Sequence, residues 1–163
     1  MLVRWLVFIH VLSAITFFLA HGTSAAMAFQ LRKETNIERI RAMLDLSGTT
    51  IMVLFVSFLL MGLTGLIMPF LIKIWNKGWV WLSIVLMVFV VIHMTLRNNK
   101  TYKTLRRLAG MPYMQGSKEF PAEPPASEEE ILAHVRKISV HELMVVGYVI
   151  PAIVLWLMVF KPF

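Results

Sequence analysis

Residues 46–72 read LSGTTIMVLFVSFLLMGLTGLIMPFLI, twenty-seven positions without a charged side chain or a histidine. At a rise of 1.5 Å per residue such a helix is about 40 Å long, and about 20 apolar residues suffice to cross the roughly 30 Å hydrocarbon core of a bilayer. Lipid offers peptide groups no hydrogen-bond partner, so the run must satisfy its own backbone as a helix. Three more blocks of this kind occupy residues 5–29, 79–96 and 143–160. The expected fold class is therefore all-α: a polytopic membrane protein, a four-transmembrane-helix bundle. It forms a single membrane domain over residues 1–163, with loops at 30–45 and 97–140.

The composition agrees. The chain is 58% hydrophobic and 15% charged, with mean hydropathy +0.74, whereas soluble domains run near 45–50% and 25%. Without cysteine it has no disulfides, thiolate zinc sites or iron–sulfur clusters. Any metal must be held by His, Met or carboxylate. The net charge of +7 does not point to nucleic acid, because the cations sit in the loops. Arg32, Lys33, Arg39 and Arg41 lie in the first loop. Arg97, Lys100, Lys103, Arg106, Arg107, Lys118, Arg136 and Lys137 lie in the second. The other side carries Arg4, Lys73, Lys77 and Lys161. Twelve against four predicts cytoplasmic loops and both termini outside, in a bacterial-type inner membrane. Trp5, Trp75, Trp79 and Trp81 then fall near the outer interface, where indoles are enriched. The first block, with Arg4 before it and Ala26-Met27-Ala28 near its end, has the outline of a secretory signal. Its apolar run is long for a signal and His10 interrupts it, so a span is expected.

Local signals add short interfacial helices. Thr35-x-x-Glu38 and Ser127-x-x-Glu130 fit the capping box. Ile37, Ile40 and Leu44 follow the first at helical spacing, and Ile131, Val135 and Ile138 follow the second. One such helix should lead into the second span and another into the fourth. Residues 110–126 hold Pro112, Gly116, Pro121, Pro124 and Pro125 and read as an irregular linker. Pro69 and Pro151 should bend their helices.

The chemistry rests on five histidines, His10, His21, His93, His134 and His141. An ionisable side chain inside a span is a functional-site hypothesis by default. Counted from mid-span at 1.5 Å per residue, His21 lies about 6 Å and His93 about 7 Å to the loop side, on different helices. Two facing imidazoles at one depth can ligate haem iron from both sides in a bundle core. Gly22, Ser24, Ala25 and Ala26 leave room beside His21, and Arg97 could pair with haem propionates. The other reading is that each histidine hydrogen-bonds a Ser, Thr or carbonyl on a neighbouring helix. His10 lies about 10 Å to the other side, on the same face as His21 because eleven residues are close to three turns. An iron at that level would need Met61, Met68 or Met158 as second ligand. His141, at the interface, is a further alternate ligand, with Glu142 beside it expected to be solvated. The twelve methionines admit copper(I) chemistry, but they are spread out, as flexible filler is.

His10-Val11-Leu12-Ser13-Ala14, Ala25-Ala26-Met27-Ala28-Phe29, Ile37-Glu38-Arg39-Ile40-Arg41 and Thr64-Gly65-Leu66 together resemble the four-helix integral membrane proteins of domain of unknown function 2269. That group is in turn similar to the membrane domain of copper-resistance protein D and to membrane protoporphyrinogen oxidases. The resemblance implies a four-helix bundle and a haem or porphyrin site. By position it transfers the early helix-one histidine to His10 rather than His21. The proline-containing insert before the fourth span has no counterpart in that pattern.

The sequence thus supports a haem-b-binding membrane protein in electron transfer, alone or within a redox complex. Its alternative is a cofactor-free accessory subunit packed against membrane-protein partners of a larger respiratory or photosynthetic complex. A copper-handling permease is weaker. No nucleophile elbow, phosphate-cradling glycine loop or paired intramembrane carboxylate marks an enzyme, and no acid–base pair supports one acting on a porphyrin.

Overall fold

The computed structural model describes residues 1–115 and 118–163. Four of its helices are long and apolar enough to cross a membrane, as the sequence predicts, and the chain is a multi-pass membrane protein. The first is α1 (Leu2–Leu31) and the second α2 (Ile37–Leu71). α3 (Gly78–Arg97) continues through a π-helical segment, π1 (Asn98–Tyr102), into α4 (Lys103–Leu108). The fourth span is composite: α6 (Val140–Met144), a second π-segment π2 (Val145–Val149), and α7 (Ile150–Phe160). An amphipathic helix α5 (Glu128–Val135) precedes it. Both termini lie on one side of such a bundle, and the two long loops share the other, called here the loop face.

Two expectations change in detail. The interfacial helix before the second span is not separate: Ile37 onward runs unbroken into the span as one helix of 35 residues. Its cap is Asn36, whose side chain accepts from the Arg39 N–H, and not Thr35. Asn is at least as good a cap as Thr, and Glu34 takes the N–H groups of Thr35 and Asn36 instead. The second box is as expected, with Ser127 capping α5 through Glu130 N–H. The 110–126 linker is partly ordered. Strands β1 (Tyr113–Gln115) and β2 (Lys118–Phe120) pair antiparallel, Tyr113 opposite Phe120. Gly110, at φ +71°, makes the turn leading to them, and a Cβ there would meet Pro125 at 3.1 Å.

The larger apolar cluster lies at the loop-face ends of the spans. Leu31, Ile40, Leu44, Leu105, Ile131 and Val135 pack together at the loop face, from four helices. Arg106 ties this cap together. It donates to the carbonyls of Leu44 and Pro112 and to the Asp45 carboxylate. At the opposite face Trp79, Val80 and Leu157 join the third and fourth spans. There Phe70 meets Trp75 edge-on, Trp75 and Trp81 pack at a tilt, and Trp81 N–H donates to the Trp75 carbonyl. Within the spans, between 11% and 28% of each most apolar window is buried. Most of the remaining side chains face outward, where lipid or a partner would cover them.

Candidate functional site

Each of the three in-span histidines bridges a different pair of spans. His10 Nδ1 lies 3.0 Å from the Met61 carbonyl and 3.0 Å from Thr64 Oγ1, joining α1 to α2. His21 Nε2 lies 2.9 Å from the Gly147 carbonyl, joining α1 to π2. His93 Nε2 lies 2.6 Å from Glu142 Oε1, joining α3 to α6.

Hydrogen-bond chemistry fixes what each ring does. A carbonyl only accepts, so His10 Nδ1 and His21 Nε2 must carry the hydrogen. Thr64 donates its own hydroxyl hydrogen to Leu60 O, which leaves its oxygen free to accept from His10. An ionised carboxylate also only accepts, so His93 Nε2–H donates to Glu142.

Sequence chemistry bears on the acceptor of His21. In an α-helix the donor to the Gly147 carbonyl would be residue 151, but that residue is proline and has no N–H. His21 donates to that carbonyl across the helix boundary. Gly147 also leaves room for the ring: a Cβ there would sit 3.2 Å from His21 Nε2 and 3.5 Å from Met94 Cε. The His21 ring is held flat against Phe17, with centroids 5.7 Å apart and planes 1° apart. The same spacing, glycine four residues before proline, recurs as Gly65 and Pro69 beside His10. A Cβ on Gly65 would meet His10 Cε1 at 3.0 Å.

The third bridge is charged. Glu142 also accepts from Arg97, so one carboxylate on the fourth span holds two donors one turn apart on α3. The Glu142 side chain is 24% exposed and that of Arg97 37%. Thr101, Tyr102, Ser139 and Val146 close over the cluster around a cavity of about 10 Å³, room for about one water. Glu142 was expected to be solvated beside His141. Instead it turns inward, because two donors at matching depth on the third span stabilise its charge better than the interface does. The sequence signal was a single carboxylate opposite the spacing His93-x-x-x-Arg97. His141 is exposed. His134 lies in α5, not in a loop, and bonds the Thr101 carbonyl at 3.1 Å.

These placements bear on the expected cofactors. The Nε2 atoms of His21 and His93 both engage protein oxygens. A ligand-sized cavity is on the order of 300 Å³ or more, far above the 10 Å³ beside His93. So arranged, the pair does not fit a bis-imidazole haem, and Arg97 faces Glu142 where a propionate was expected. Met61 meets His10 through its carbonyl rather than its sulfur, and Met158 packs beside Trp79 and Leu157. Among the described residues no three His, Asp or Glu side chains gather closely enough to hold a metal ion.

No family model, curated protein or solved structure matches the chain. The resemblance drawn above thus rests on its short motifs alone.

Proposed function

We propose that this chain is an accessory subunit of a larger membrane complex, with its histidines serving as inter-helix ties. The observation that carries this reading is that every in-span histidine donates a hydrogen bond to a neighbouring span, and that the three bonds join three different pairs of spans. Such bonds hold a small bundle in one arrangement when little apolar surface is buried between its helices, and in lipid polar contacts do much of that work. The outward apolar faces, among them Phe55, Val85 and Val159, are then free to pack against partner helices. The reading is tested by mild-detergent purification of the tagged full chain from its native membrane, followed by cross-linking from positions 55 and 85. Stoichiometric recovery of one membrane complex, cross-linked at those faces, is expected. A lone monomer with no cross-links would overturn the assignment.

A second reading, a haem-b protein of electron transfer, keeps one specific observation. Hydrogen bonding occupies one nitrogen of each ring, as it does in histidines that ligate metals through the other. The rings of His21 and His93 would have to reorient to use it. A reduced-minus-oxidised visible spectrum of protein from haem-replete cells separates the two. A b-type α-band lost in His21→Ala, His93→Ala or His10→Ala favours haem, and a flat spectrum favours the subunit.

A further inference from the structure

Charge at the loop face is unevenly matched. Each carboxylate beside a span end there has an arginine: Glu34 with Arg39, Glu38 with Arg41, Asp45 with Arg106, Glu142 with Arg97. Six cations remain. Arg32 and Lys33 follow α1, Lys100 and Lys103 follow α3, and Arg136 and Lys137 precede α6. Among the described residues none of these six has a carboxylate within ion-pair distance. Five are exposed, and Lys103 is half-buried, its ammonium over the Tyr113 ring.

Their depth is set by the spans. The continuous helix from Gly78 to Leu108 has 31 residues, about 46 Å at 1.5 Å per residue, whereas hydrocarbon takes roughly 30 Å. Its last turns, with Lys100 and Lys103, therefore stand in the headgroup layer. Arg32 caps α1 and Lys137 lies three residues before α6, so these cations leave their spans at the same layer. We infer that the six cations form a docking ring for anionic phospholipid headgroups around the loop-face ends of the first, third and fourth spans. Phosphate oxygens accept from Lys and Arg, and the four carboxylates beside the span ends are already paired with arginines. The inference does not depend on the proposed function.

The test is native mass spectrometry of the full chain released from nanodiscs of mixed phosphatidylglycerol and phosphatidylcholine. Phosphatidylglycerol should be retained in preference. Lys100→Gln with Lys103→Gln, and Arg136→Gln with Lys137→Gln, should each lower retention by about five-fold per removed cation. Lys73→Gln with Lys77→Gln, on the opposite face, should change nothing. Varying the phosphatidylglycerol fraction around the unmodified protein gives the same readout without relying on a variant's folding. Equal retention of both lipids, or equal loss in the opposite-face variant, overturns the ring. Displacement of the lipid by millimolar inorganic phosphate overturns it in favour of a free-phosphate site.

Discussion

Glu142 is one acidic side chain that satisfies two donors at once, His93 and Arg97. Glu142→Ala strands His93 and Arg97 at once, but Arg97 is more than a third exposed and solvent screens its share. The expected loss is about 1–2 kcal/mol of unfolding free energy. Glu142→Gln, which keeps one acceptor oxygen, should recover roughly half; denaturant titration in detergent measures both. Glycines separate packing from propensity at the same scale. Gly62 has nothing within 4 Å of a would-be Cβ, whereas Gly65 has His10 Cε1 at 3.0 Å. Gly62→Ala should leave stability within about 0.5 kcal/mol, and Gly65→Ala should lower it by about 1–3 kcal/mol. Equal effects on thermal midpoint would mean that His10 yields freely. That three histidines fall within the spans was legible in the sequence. The ring partners were not, because a backbone carbonyl leaves no mark in a sequence pattern.

Among the elements, the fourth span is where sequence and packing interlock most. Pro151 was readable as a residue with no N–H to donate. That it exposes a carbonyl for another helix requires knowing which helix faces it. Pro151→Ala would restore an α-helical donor to Gly147 and compete with His21. The cost of His21→Phe should therefore be smaller in the Pro151→Ala background, with a coupling of at least about 0.5 kcal/mol in a double-mutant cycle. Additive effects would show that the π-segment owes nothing to the proline. The start of α2 gives a pH-dependent case. The Glu34 carboxyl is held below the ordinary carboxylate range by the N–H groups of Asn36 and Thr35, with Arg39 adding to them. A carboxyl lowered in the folded state stabilises above its ordinary pKa and loses that contribution as pH falls through the folded value. Protection of the 34–40 turn in hydrogen exchange should fall as pH is lowered through the carboxylate range, and Glu34→Gln should remove the dependence.

At the scale of the whole molecule, the four spans were legible to within a few residues because hydrocarbon length dictates them, although α2 begins well before the second block. The loop-face core was only half legible. The spacings of Ile131, Val135 and Ile138 and of Ile37, Ile40 and Leu44 marked two apolar faces, but that these pack together with Leu31 and Leu105 could not be read from segments assigned to two separate loops. Arg106 is the side chain that makes this assembly one piece. Its three donations reach α2 twice and the linker once, so it fastens the first pair of spans to the chain between the third and fourth. A charged donor's hydrogen bond is worth about 1.5–3 kcal/mol when buried, and less where solvent competes, as at Asp45. Arg106→Ala should therefore cost about 2–4 kcal/mol, and Arg106→Lys should recover little because an ammonium cannot present the same fork. The linker should open before the spans do. Limited proteolysis should cut Arg106→Ala within residues 110–126 many-fold faster than the unmodified protein, while all four spans keep their helical circular dichroism. Unchanged cleavage would mean that the apolar cap alone holds the two halves together.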